Sequence, residues 1–206
     1  MSGRSPTVYA VDDDRAVLKS IGRLLRSDGW NVVTFASARE FLEQIDSEAP
    51  GCAVLDLSMP EMSGLELQRA LESRGCSLPI LFLTGQADVP STVKALKRGA
   101  VDFLTKPVED EELLAAVRRA VDADSVARKE SAEIAAIRAR LDTLTPRERE
   151  VLEGVVSGKL NKQIAADLGT VEKTIKVHRG RVMEKMQAAS LADLVRLAQR
   201  AGVRPG

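Results

Sequence analysis

Val54-Leu55-Asp56-Leu57-Ser58-Met59-Pro60, followed by Gly64, is the stretch on which the fold turns. The run Cys52–Leu57 is almost wholly apolar, too short for a helix and stopped by Pro60. Such a run predicts a strand covered on both faces, as in a parallel sheet. One carboxylate, Asp56, stands at its carboxyl end. Outward from it, Thr7–Val11, Asn31–Phe35, Ile80–Thr84 and Val101–Leu104 also read as strands. Between them the apolar residues recur at helical spacing: Val17, Leu18, Ile21, Leu24 and Leu25; Phe41, Leu42 and Ile45; Leu65, Leu67, Ala70 and Leu71; and Val93, Leu96 and Lys97. Gly29, Pro50-Gly51, Gly75, Pro79 and Gly99 mark the joints. Strands alternating with helices predict an α/β doubly wound, five-stranded parallel sheet with helices on both faces.

The chain of 206 residues is 44% apolar, 29% charged and 3% aromatic, an ordinary globular composition with room for two cores. No apolar run approaches a membrane span, and the short polar Met1–Pro6 predicts no signal peptide. Cys52 and Cys76 form no CxxC pattern, so two reduced thiols of a cytoplasmic protein are expected rather than a disulfide or metal site. The zero net charge is unevenly divided. Residues 1–124 hold 14 Lys+Arg against 20 Asp+Glu, and residues 125–206 hold 16 against 10. An acidic front and a basic back predict two domains with different partners.

In open α/β sheets, ligands bind beyond the carboxyl ends of the strands, where strand order reverses. Those ends carry Asp12, Asp13 and Asp14, then Asp56, then Thr84, then Lys106-Pro107. Crowded carboxylates suit a hard divalent cation, and Mg²⁺ takes one or two of them together with a phosphate. A carboxylate can also attack phosphorus to give an aspartyl phosphate. Lys106 would balance charge on the transferred group and Thr84 would donate a hydrogen bond to it. Asp14 has a plainer role as N-cap of the first helix.

The segments Val11-Asp12-Asp13-Asp14, Val54 to Pro60 with Gly64, Leu83-Thr84-Gly85 and Lys106-Pro107 resemble response-regulator receiver domains, over about residues 5–125. The resemblance implies a flavodoxin-like receiver in which Asp56 takes a phosphoryl group from a sensor histidine kinase. It implies that Asp13 and Asp56 ligate Mg²⁺ with the Ser58 backbone carbonyl, and that Asp12 acts through water. Lys106 and Thr84 would contact the phosphoryl oxygens. Phe103 falls at the family's aromatic switch position, although a core residue of the fifth strand would look the same. The Lys106-Pro107 bond is often cis in this family. Ser58 lies where the family varies.

After Pro107 no Gly or Pro occurs until Pro146. Leu113, Leu114, Val117 and Val121 make one apolar stripe, and Ile134, Ile137, Leu141 and Leu144 a short heptad-like one. One long helix, or two in series, is expected, with residues 126–141 as a solvated helical linker; two heptads fall short of a coiled coil.

From Thr145 the pattern is all helical, with helices expected near 146–157, 161–168, 171–186 and 190–201. Thr145, Pro146 and Glu148 form a capping box. Residues 161–180 fit a helix-turn-helix: Ala165 allows close approach, Gly169 ends the first helix and Thr170 is expected to cap the second. Lys173, Lys176, His178, Arg179, Arg181 and Lys185 lie on the second helix. Positions 175, 182 and 186 make its inward face, and 172, 176, 179 and 183 a face that can enter a major groove.

Leu144 to Leu152, Asn161-Lys162-Gln163-Ile164-Ala165 and Thr174 to Arg179 resemble the LuxR/NarL/FixJ-type DNA-binding domain over about 142–203, and the whole chain resembles the FixJ subfamily. The resemblance implies Lys176, Val177 and Gly180 at base edges, and Lys162, Thr174 and His178 at the DNA backbone. Gly180 departs from the Lys of some relatives, which leaves readout to Arg179 or Arg181. Leu191, Leu194, Val195 and Leu197 resemble a dimerisation helix.

The resulting expectation is a bacterial transcriptional regulator whose homodimerisation and promoter binding follow phosphorylation of Asp56, with RNA polymerase as a further partner. Two alternatives fit the residues less well. A phosphotransferase of the haloacid dehalogenase type needs a second Asp two positions after the nucleophile, and Ser58 stands there. A constitutive dimer that ignores phosphate leaves the acidic set without a purpose.

Overall fold

The computed structural model describes residues 5–85 and 98–203. The chain divides into two compact units between Ala127 and Arg128.

The first unit contains β1 (Thr7–Val11), α1 (Arg15–Ser27), β2 (Asn31–Phe35), α2 (Ala38–Gln44), β3 (Gly51–Asp56), α3 (Gly64–Ser73), β4 (Ile80–Thr84) and β5 (Asp102–Thr105). All pairings are parallel, in the order β2-β1-β3-β4-β5. Strand order therefore reverses between β1 and β3, which opens a crevice beyond Val11 and Asp56. Alternation along the strands splits the core in two. Tyr9, Val11, Ala53, Leu55, Ile80 and Phe82 face α2 and α3, where Phe41, Leu67 and Leu71 are buried. Val8, Ala10, Cys52, Val54, Leu81 and Leu83 face the other way, onto Leu18, Ile21 and Leu25 of α1 and Leu113, Ala116, Val117 and Ala120. β3 and β4 are buried at every residue, as their unbroken apolar runs require. The helical stretch expected around Val93, Leu96 and Lys97 lies outside the described residues.

One helix, α4 (Asp110–Asp142), follows as a continuous element of 33 residues. Its first part completes the first unit, and the rest belongs to the second. Asp124, on α4, is buried and accepts a hydrogen bond from the Gly51 amide at 2.9 Å, which ties the helix to the start of β3. Burial, and secondarily the Asp124 charge, pushes the neighbouring Cys52 thiol up to about 12. Both cysteines are free.

The second unit adds α5 (Pro146–Val156), α6 (Asn161–Asp167), α7 (Glu172–Met186) and α8 (Leu191–Arg200). The solvated linker expected over 126–141 is only partly so. Ile137, Leu141 and Leu144 are buried with Val151, Leu152, Ile164, Ile175 and Leu194 in this unit's own core. The heptad-like spacing thus reflects one helix packing on a local core. Thr145 and Glu148 form the expected capping box at the start of α5. Thr170 does not cap α7: Val171 occupies that position, without a side-chain cap. Thr170 instead closes α6, its amide donating to the Ala165 carbonyl past Gly169, whose φ of 62° supplies the left-handed turn.

Candidate functional site

Three strand ends and one following loop build the acidic crevice. β1 ends at Val11, so Asp12 is carried to the rim, where it is buried and accepts from the Asp14 amide at 2.9 Å. β3 ends on Asp56, also buried, whose Oδ2 accepts from the Ser58 amide at 2.6 Å. β4 ends on the fully buried Thr84. Its carbonyl accepts from the Lys106 amide at 2.7 Å, and Lys106 is joined to Pro107 by a cis bond. The Lys106 ammonium lies 2.6 Å from Asp12 Oδ2 and 2.6 Å from Asp56 Oδ1. Residues 12, 56 and 106 thus meet at one cationic nitrogen.

The electrostatics follow from crowding. Burial pushes the Asp12 carboxyl above its ordinary value, and this outweighs the opposing hydrogen bonds from Lys106 and the Asp14 amide. Burial alone would depress Lys106, but the hydrogen bonds to Asp12 and Asp56 outweigh it and raise the ammonium. The crevice thus holds its cation firmly.

Other residues meet the expectation less closely. Asp13 and Ser58 are exposed. Among the described residues no group of three or more His, Cys, Asp or Glu side chains converges as a metal centre, so Asp13 is not drawn into one with Asp12 and Asp56. Two carboxylates already gathered on one cation are nevertheless a hard oxygen donor set that suits Mg²⁺. Phe103 is half-buried, its ring 6.1 Å from that of Phe82 in the core beneath α3. Asp14 caps α1 as expected, accepting from the Ala16 and Val17 amides. Gly64 has a steric reason. A Cβ there would lie 2.4 Å from the Asp56 carbonyl oxygen, so α3 can start against the end of β3 only without a side chain.

In the second unit, the inward face of α7 is as expected: Ile175, Val182 and Met186 are buried. The outward face is not the one expected. Met183 packs against the core, and Arg179 donates to Asn161 Oδ1 at 2.6 Å, so the 172/176/179/183 row lies half against the protein. Lys173, Val177, Gly180 and Glu184 form the exposed strip instead, flanked by Lys176 on one side and Thr174, His178 and Arg181 on the other. Lys185 is occupied as well. It sits 2.6 Å from the buried Glu148 and 3.0 Å from the Thr143 carbonyl. The hydrogen bonds from Lys185 and from the Thr145 amide hold the Glu148 carboxyl below its ordinary value. Lys162, Lys173, Lys176 and Arg181 are exposed and, among the described residues, have no ion-pair partner. Among the described residues, a Cβ on Gly180 would meet nothing within 4 Å, so no packing among them demands glycine there. Gly154, by contrast, is where α5 meets α6: its Cβ would lie 2.9 Å from Ile164. Its place in α5 gave no hint of that approach.

Comparison with known proteins decides the family. The receiver domain of response regulators matches residues 8–118, and the domain of bacterial regulatory proteins of the luxR family matches residues 142–198. The chain is a two-component response regulator. The response regulator protein TodT of Pseudomonas putida is 45% identical over 200 residues, covering 97% of this chain and 88% of that one. The transcriptional regulatory protein FixJ of Bradyrhizobium diazoefficiens is 44% identical over 196 residues, covering 95% and 96%. Among solved structures, the response regulator StyR is 43% identical with a TM-score of 0.84, covering 95% of this chain and 99% of that one. Full-length FixJ from B. japonicum is 44% identical with a TM-score of 0.59, covering 97% and 98%. This response regulator therefore joins a receiver domain to a LuxR-type DNA-binding domain and acts in transcription. No helix among its described residues is long and apolar enough to cross a membrane.

Proposed function

We propose that Asp56 of this response regulator accepts a phosphoryl group from the phosphohistidine of a sensor kinase, and that the modified protein dimerises and binds paired promoter half-sites. The observation that carries this reading is the Lys106 ammonium held 2.6 Å from both Asp12 and Asp56. A buried carboxylate at a strand end, with a cation already on one oxygen, is arranged to take on more negative charge.

The roles divide as follows. Asp56 attacks phosphorus through a carboxylate oxygen, and the phosphohistidine nitrogen leaves with the electron pair of the broken bond. The Ser58 amide, at 2.6 Å, fixes the carboxylate plane. Lys106 stays with the charge that develops on the phosphoryl oxygens, and the Thr84 hydroxyl donates to one of them. Asp12, Asp13, Asp56 and the Ser58 carbonyl would hold Mg²⁺, Asp12 through water; the cation would screen the carboxylates from the incoming phosphoryl group. Phe103 is the candidate to report the change at Thr84, since its ring already borders Phe82. The dimer surface would form near β5 and the helical stretch before it; β5 is described, and the stretch around Val93 and Leu96 lies outside the described residues.

On the DNA side, Lys173, Val177 and Gly180 are proposed to face base edges. Lys162, Thr170, Thr174, Lys176, His178 and Arg181 would grip the backbone. Arg179 is held by Asn161 and would serve as a support rather than a reader. RNA polymerase at the promoter and a cytoplasmic setting complete the proposal. We infer a regulator rather than a turnover enzyme: Ser58 stands where a phosphotransferase of the haloacid dehalogenase type needs its second carboxylate.

The test is intact-mass and oligomer analysis after treatment with an acyl phosphate and Mg²⁺, in the wild type and in Asp56→Asn. A gain of one phosphoryl group with dimer formation in the wild type alone supports the proposal. Equal modification of both proteins rejects Asp56, and unchanged affinity for DNA after modification rejects the coupling.

A further inference from the structure

The chain's single histidine lies on the flank of α7, between Thr174 one turn before it and Arg181 less than one turn after it. Its ring is half-buried, and its Nδ1 is enclosed without a hydrogen-bond partner among the described residues. Nε2, the other ring nitrogen, is not among the enclosed atoms without partners. Buried polar atoms without partners are few in native proteins, and each calls for a physical reason. Here the reason can be worked out from the two ways of placing one proton on a neutral imidazole. On Nδ1 the proton would make a buried donor with no acceptor, the rarer and costlier kind of orphan. On Nε2 it leaves Nδ1 as a bare lone pair and puts the N–H at the other end of the ring, on the flank next to the exposed strip of Lys173, Val177 and Gly180.

We propose that His178 binds DNA as a neutral Nε2–H donor to a backbone phosphate oxygen, with its enclosed Nδ1 fixing both tautomer and ring direction. The inference rests on the DNA reading above and sharpens it. Most contacts that proteins make to the DNA backbone through Lys or Arg bring a full charge and release a counterion. A neutral donor brings direction instead. It sets the rotation of α7 in the groove without adding to the salt dependence of binding, while Lys176 on the opposite flank supplies charge. Thr174, one turn away on the same flank, presents a second neutral donor, its hydroxyl. On that flank Thr174 and His178 would thus meet the phosphates by geometry, with Arg181 adding charge beside them, and on the other flank Lys176 adds charge alone.

Three measurements on the full-length regulator test this. Two-bond ¹⁵N–¹H spectra of the unmutated chain at neutral pH should show the Nε2–H tautomer; the Nδ1–H tautomer overturns the proposal without any substitution. Titrations then use a duplex enriched from a random library by the wild-type regulator, alongside a mixed-sequence duplex, over a range of salt. His178→Ala should weaken both duplexes by a similar factor, about tenfold, as expected for one lost hydrogen bond. The slope of log K against log salt should not change, whereas Lys176→Ala should lower it by about 1. His178→Gln, whose amide nitrogen reaches the position of Nε2, should restore most of the affinity, and His178→Asn should not. A fall in slope of about 1 in His178→Ala, unchanged affinity in that variant, or rescue by Asn rather than Gln each overturns the proposal. A wild-type regulator that retains no duplex overturns the DNA reading itself, an outcome distinct from all of these.

Discussion

Replacing Gly64 with alanine adds one methyl group at the point where α3 begins against the end of β3. That carbon would lie 2.4 Å from the Asp56 carbonyl oxygen, 3.2 Å from its carbonyl carbon and 3.0 Å from the edge of the Phe82 ring. Two of the three contacts are backbone, so no side chain can turn aside. The Gly64 amide also donates to the Leu57 carbonyl at 3.0 Å, which pins the approach. Restoring an ordinary contact means opening the junction by roughly 1 Å. Overpacking of this kind costs about 2 kcal/mol, which for a unit of this size lowers the midpoint of unfolding by about 8 °C. The same movement displaces Asp56 from Lys106 and from the Ser58 amide. A shift of about 1 Å at a reacting group can cost up to roughly 100-fold in rate, so acyl-phosphate labelling of Gly64→Ala should slow at least about tenfold. Calorimetry and intact-mass time courses on the full chain read the two effects separately. A variant that melts within about 1 °C of the wild type and labels at the wild-type rate would refute the steric reasoning.

Gly180→Ala is the same chemical change with the opposite sign. Its Cβ meets nothing within 4 Å, so only helix propensity acts, and the second unit should gain about 1 kcal/mol in urea unfolding. Lys106→Met leaves Asp12 and Asp56 without their shared ammonium. Mg²⁺ affinity by titration calorimetry should rise, while labelling by an acyl phosphate falls about tenfold or more. Thr145→Ala removes one half of the capping box on α5 and should cost about 1 kcal/mol. Glu148 gives a pH signature. Its carboxyl is lowered in the folded state from an ordinary 4.5, chiefly by Lys185, so its contribution is complete above that value and is lost as pH falls through the folded one. Lys185→Met should cost about 2 kcal/mol at neutral pH and flatten the acid limb of stability below pH 4.5. An acid limb of unchanged steepness would show that the pair is not its source.

The sequence alone determined the sheet, the starts of α1 and α5 and the acidic crevice, because these rest on local physics. Apolar runs of strand length, Thr145 with Glu148, Asp14 ahead of α1 and carboxylates placed at strand ends are each legible over a few neighbouring residues. Parallel pairing then carries Asp12, Asp56 and Lys106 to one rim, whatever the detailed packing. Tertiary structure decided what depends on distant atoms. Helical spacing left the roll of α7 open by a fraction of a turn. The partial burial of Met183 and the capture of Arg179 by Asn161 set it, moving the outward strip to Lys173, Val177 and Gly180. Nothing near Lys185 in the chain marks it as the partner of Glu148, and nothing near Asp124 marks it as the acceptor for Gly51, because those partners are 37 and 73 residues away. Glycine made the same distinction. Gly169 could be read as a turn from its position after a helix, whereas the reasons for Gly64 and Gly154 lie in a carbonyl and an isoleucine that only folding brings within reach.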